Sequence, residues 1–226
     1  MDGKRSIRSY VSRRGRLTDG QRRAIKELWP LLGLEPEDGR LDLDIVFRRR
    51  QRRILEIGFG NGESLAAMAA ADRETDFLGV EVHDPGIGHL LLQVKQLELE
   101  NIRVIRGDAI DLLQARIPND SFDRIQIFFP DPWPKKRHHK RRLVRLDTAE
   151  LLVSRIRDGG RLHVATDWLP YAEQVLEVLD NAPGVCNVAA DKGFVARPKY
   201  RPVTNFERRA LALGHEIWDI VFERTP

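Results

Sequence analysis

The chain has 226 residues, 42% of them hydrophobic and 32% charged, with a formal net charge of +4; this suits one globular core and excludes a disordered chain. No apolar run approaches the roughly 20 residues of a membrane-crossing helix, and the single cysteine, Cys186, excludes an intrachain disulfide or a thiolate zinc site. Basic residues gather in 4–23, 48–53 and 135–145 while acids are spread along the middle, a distribution that suits a polyanionic partner.

The first 16 residues hold few apolar positions and are expected to form a flexible basic arm. They contain neither an apolar signal core nor an amphipathic face, so the expected location is cytoplasmic. Thr18 and Asp19 can cap a helix running to about residue 34, which Pro30 should kink or end. After turn residues 35–40, strands are predicted over 53–57, 76–82, 101–106, 122–128, 161–165, 185–189 and 216–223. Helices are predicted over 63–71, 88–99, 109–116, 142–156 and 170–181. This alternation predicts an α/β Rossmann-like fold: a mostly parallel seven-stranded sheet with helices on both faces. The expected organisation is a basic arm and helix over 1–40 and one domain over 41–226.

The first predicted strand runs into Glu56-Ile57-Gly58-Phe59-Gly60-Asn61-Gly62, a tight turn whose backbone can approach a ligand closely. Its spacing is G-x-G-x-G, and it lacks the G-x-G-x-x-G of a pyrophosphate-binding turn. Glu56, at the head of the glycine turn, would repel a pyrophosphate but can pair with the ammonium of a methionine moiety. Glu81, about twenty residues on, stands where doubly wound folds place the carboxylate that holds ribose hydroxyls. Asp108 and the amide of Ala109 end the third strand, where they can read the amino group and a ring nitrogen of adenine. These acids at three neighbouring strand ends favour S-adenosylmethionine over a dinucleotide, and residues 53–167 resemble the class I methyltransferases that use it.

The fourth strand leads into Phe128-Phe129-Pro130-Asp131-Pro132-Trp133-Pro134, then Lys135-Lys136-Arg137-His138-His139-Lys140-Arg141-Arg142. Three prolines predict a stiff, extended segment that aims the Asp131 carboxylate. The basic run predicts contacts to a phosphate backbone. The segment from Phe129 to Arg142 resembles the signature of bacterial tRNA (guanine-N7)-methyltransferases, as do Glu56–Gly62, residues 80–88, Thr166-Asp167 and Thr204-Asn205-Phe206-Glu207. The resemblance spans nearly all of 40–224. It implies S-adenosylmethionine contacts at Glu56, Gly58, Gly60, Glu81, Asp108, Ala109 and Asp131, with a catalytic role for Asp131. It also implies substrate contacts at Lys135, Asp167, Thr204, Asn205, Phe206 and Glu207, and RNA contacts at Arg137, His138, His139, Lys140, Arg141 and Arg142. The implied target is guanine 46 in the variable loop of tRNA. Asn205 stands where the family usually has a basic residue, and Pro134 where it commonly has His.

Guanine N7 carries an in-plane lone pair and can attack a sulfonium methyl without losing a proton. The reaction therefore needs alignment and negative charge near the purine, for which Asp131 and Asp167 are the candidates. His138 and His139 beside Asp131 lie in a run of cations that opposes a metal ion, so no metal is expected. A non-catalytic RNA-binding scaffold leaves the intact acids unexplained, and a methyltransferase for small molecules or proteins leaves the basic run unexplained. Monomer and homodimer both remain open.

Overall fold

The computed structural model describes residues 10, 15–35 and 39–226; the basic arm expected over the first 16 residues falls largely outside these. Helix α1 (Asp19–Leu32) begins as expected. The Thr18 hydroxyl accepts from the Gln21 amide and the Gln21 side chain accepts from the Thr18 amide, a reciprocal cap. Pro30 sits in its last turn, and the helix stops two residues later. Ala24 and Leu32 are buried, so α1 packs into the core of one sheet face.

The remaining elements are strand β1 (Gly33–Leu34), α2 (Leu43–Phe47), β2 (Arg53–Ile57), α3 (Glu63–Ala71), β3 (Asp76–Glu81), α4 (Asp84–Gln96), β4 (Ile102–Arg106), α5 (Ala109–Ala115), β5 (Phe122–Phe128), α6 (Leu146–Ser154), β6 (Ile156–Thr166), α7 (Leu169–Asp180), β7 (Val185–Asn187), α8 (Asn205–Ala212) and β8 (Trp218–Arg224). They build one eight-stranded sheet in the order β1-β4-β3-β2-β5-β6-β8-β7. Every pair is parallel except β8, which runs antiparallel to β6 and β7. The chain lays β3 and β4 on one side of β2, then returns to build β5 and β6 on the other. The loops after β2 and β5 therefore diverge and open a crevice at the carboxyl edge.

The sheet has one strand more than predicted. Two-residue β1 has no readable period and becomes a strand only by lying beside β4. The short helix α2, capped by Asp42, and α8, capped by Thr204, were not anticipated. Nor does a helix start at residue 142. Lys136–Arg141 form a single 3-10 segment, and α6 begins only at Leu146, where Thr148 accepts from the Arg145 amide at 3.0 Å and donates to the Leu143 carbonyl at 2.6 Å. Among the described residues no helix is long and apolar enough to cross a membrane.

Candidate active site

The glycine turn after β2 is held by a carboxylate at the end of the neighbouring strand. Glu81 Oε2 accepts from the Gly60 amide at 2.8 Å, and its Oε1 accepts from the amides of Val82 and His83 at 2.7 and 3.0 Å. Gly58 and Gly60 have φ of 70° and 56°, the left-handed region that favours glycine. A Cβ added at either would meet no protein atom within 4 Å; it would project into a cavity of about 340 Å³ whose walls include Ile57, Glu81, Ala109, Asp131 and Leu143. Asp108, between lining residues Gly107 and Ala109, caps α5 by accepting from the Ile110 amide at 2.8 Å. Tyr10 also reaches this cavity, a contact that nothing in its sequence surroundings announces. The open glycine cradle, a carboxylate at the end of β3 and an apolar wall fit an adenosine group.

A second cavity, of about 510 Å³, shares Gly58, Gly60 and Phe129 with the first and adds Glu56, Thr204 and Phe206. Glu56 is 1% exposed. Ser64 Oγ donates to its Oε1 at 2.5 Å and Gln126 Nε2 to its Oε2 at 2.8 Å. Burial pushes this carboxyl up to about 7, against the lowering effect of those two hydrogen bonds and of Arg124. Two oxygens offer about four acceptor positions, so the pair of donors leaves capacity for a cationic ligand group.

Strand register explains how Glu56 acquires its neighbours. Glu56 pairs with Gln126 on β5, and Gln126 with His163 on β6, so the three side chains share one face. The polar chain continues to β8 and leaves the sheet at Arg201. His163 Nε2 meets Asp219 Oδ1 at 2.7 Å, and Asp219 accepts from Arg201 at 2.7 and 2.9 Å. Arg201 grips Glu207 through two further bonds of 2.6 and 2.9 Å. Burial pushes the His163 imidazole below its usual range, although Asp219 opposes this. Sequence reading passed over Gln126, His163, Arg201 and Asp219. For Gln126, His163 and Asp219 the available signal was a polar residue within an otherwise apolar strand; Arg201 lies outside the strands and carries no such signal.

Beyond β5 the chain is bent rather than extended. Phe129 and Trp133 have φ of 52° and 46°. Each precedes a proline, which disfavours the right-handed helical region there but leaves the left-handed one open. Asp131 is exposed on the wall of the first cavity. Lys135, Lys136, Arg137 and Lys140 are exposed, while His138 and His139 are half-buried. His138 meets Trp133 edge-on at 5.7 Å, and the Arg141 guanidinium lies 5.0 Å from the Trp133 ring.

Two expected contact residues turn inward. Arg142 is 2% exposed; its Nε donates to the Pro132 carbonyl at 2.9 Å, a terminal nitrogen donates to Gln174, and the guanidinium lies 4.9 Å from the Tyr171 ring. It is thus a strut between the proline segment and α7, and no phosphate reaches it in this conformation. Glu207 is also 2% exposed, held by Arg201 and withheld from a substrate. Thr204 caps α8, Phe206 is exposed and packs 5.0 Å from Phe129, and Asn205 binds Glu63 on α3 through its amide and side chain at 2.9 and 2.7 Å. Asp167 follows β6 and lies 3.3 Å from His215 Nδ1. Among the described residues no group of three or more His, Cys, Asp or Glu is placed to hold a metal ion.

Residues 50–220 match a family described as "Putative methyltransferase". A tRNA (guanine-N(7)-)-methyltransferase of Nitrosospira multiformis is 53% identical over 97% of this chain and 95% of its own length. Another, of Ectopseudomonas mendocina, is 53% identical over 98% of this chain and 93% of its own. Among solved structures, the 16S rRNA methyltransferase KamB superposes with a TM-score of 0.62, covering 86% of this chain and 98% of that one. At 10% identity this is a likeness of fold alone.

Proposed function

The chain belongs to the tRNA (guanine-N(7)-)-methyltransferase family, and from that premise we propose that it moves a methyl group from S-adenosylmethionine to N7 of guanine in tRNA, at position 46 of the variable loop. The observation that carries this reading is one continuous segment: Asp131 on the wall of the glycine-turn cavity, followed at once by exposed Lys135, Lys136 and Arg137.

S-adenosylmethionine, when bound, supplies a methyl group made electrophilic by its sulfonium. Glu81 would hold its ribose, Asp108 and Ala109 its adenine, and Glu56 its ammonium, while Gly58 and Gly60 leave room for its backbone-hugging approach. Guanine N7 brings its own lone pair, so no residue has to remove a proton from it. Asp131 accepts from the N1–H and amino edge of guanine, which orients the base and offsets the positive charge it gains. Thr204 and Phe206 line the neighbouring cavity, and Asp167 and Lys135 are assigned with them to the substrate side. Lys136, Arg137, Lys140 and Arg141 hold the backbone.

Asp131→Asn should lower the single-turnover rate on the order of 100-fold, read as N7-methylguanosine in digested tRNA. A near-normal rate would remove the assignment. Label appearing at another atom, or tRNA binding without transfer by the unaltered chain, would overturn the function itself.

A further inference from the structure

At the amino edge of the sheet, opposite the crevice, the starts of β2, β5 and β6 surround a cavity of about 310 Å³. Arg52, Arg124, Arg157 and Arg161 all line it. Register accounts for the gathering. Arg124 pairs with Ile54 on β2 and with Arg161 on β6, and Arg52 stands two residues before Ile54. Alternation therefore sends Arg52, Arg124 and Arg161 to one face.

Two of the four cations are neutralised: Arg157 pairs with Asp123 at 3.2 Å and Arg161 with Glu223 at 2.9 Å. The other carboxylate of the lining, Asp158, pairs with Arg224 at 3.2 Å. Arg52 and Arg124 form no ion pair among the described residues. Arg124 is 8% exposed, its Nε donates to Gln126 Oε1 at 3.1 Å, and its guanidinium carbon lies 3.7 Å from the centroid of the Tyr200 ring. Its two terminal amino groups have no hydrogen-bond partner among the described residues. Those amino groups are not sealed in the protein interior but open on the cavity, where a ligand can meet them. Charge balance with Glu56, reached through Gln126, accounts for one cation there and leaves Arg52 without a counter-charge among the described residues.

We propose that this cavity binds one phosphate group, clasped by the guanidinium forks of Arg124 and Arg52. The fork geometry matches a tetrahedral oxyanion. Tyr200 holds the Arg124 plane, and both carboxylates of the lining are already paired. Gly159 keeps the rim open, since a Cβ there would meet nothing within 4 Å.

The test uses the full chain and thermal unfolding, with inorganic phosphate titrated against sodium chloride at matched ionic strength. Tm should rise saturably, and Arg52→Ala, an exposed position that spares the fold, should weaken phosphate roughly tenfold or more. Arg124→Met should abolish the response. In that outcome the ligand is free phosphate, and Arg52→Ala leaves tRNA binding untouched. If inorganic phosphate has no saturable effect but Arg52→Ala weakens tRNA binding and flattens its salt dependence, the phosphate belongs to the RNA backbone. An equal phosphate response in Arg52→Ala and the unaltered chain, or no effect on either ligand, overturns the proposal.

Discussion

Glu56 makes the crevice sensitive to pH. Its folded-state pKa, about 7, lies above its ordinary value of 4.5. Between those values the folded chain keeps a proton that the unfolded chain releases, so stability falls as pH rises through this window and levels off above it. The full effect is about 3 kcal/mol. Glu56→Gln should flatten this part of the stability–pH curve, measured by urea unfolding at about pH 5 and about pH 8. Parallel curves for the two proteins would show that another group is responsible. Glu56 was legible as a site residue because it stands two positions before the first glycine of the turn. Its Gln126 partner was not, since the two are seventy positions apart and meet only through strand register.

Among the elements, the segment between β5 and α6 carries Asp131 and is bent, where its three prolines predict an extended run. Its shape depends on Arg142, which ties the Pro132 carbonyl to Gln174 on α7. Arg142→Met should cost about 1–3 kcal/mol of stability by stranding those acceptors, and should slow methyl transfer by loosening Asp131. Arg141→Gln should leave unfolding unchanged while weakening tRNA binding, so urea melts of the two variants separate strut from contact. Helix α8 escaped prediction because its eight residues carry two buried side chains, Glu207 and Ala210, too few to print an apolar stripe. Arg201 anchors it. Arg201→Met would leave Glu207 and Asp219 buried without a cation, a loss of about 3–5 kcal/mol in denaturant unfolding, and a loss near zero would mean that α8 is held by other contacts.

For the whole molecule, charge is sorted between edges of the sheet. The carboxyl edge carries the glycine turn, the acids and the exposed part of the basic run, while the amino edge gathers a second set of arginines. Neutralising Lys136, Arg137 or Lys140 singly should reduce the slope of log affinity against log salt for tRNA by roughly 0.7–0.9 each and spare cofactor affinity. Fluorescence anisotropy across a salt series reads both quantities, and an unchanged slope would move the backbone contact elsewhere.

Strand–helix alternation, the glycine turn, the acids at strand ends and the signature between Phe129 and Arg142 were all determined by sequence alone. Each is a local pattern, set by side-chain period, backbone freedom or residue order over a few positions. Tertiary structure alone decided that Arg142 and Glu207 turn inward, that β1 becomes an eighth strand, and that Arg52, Arg124 and Arg161 share one cavity. Those outcomes depend on register and packing between segments far apart in the chain, where residue type sets what a group can bind and only the assembled sheet sets what it meets.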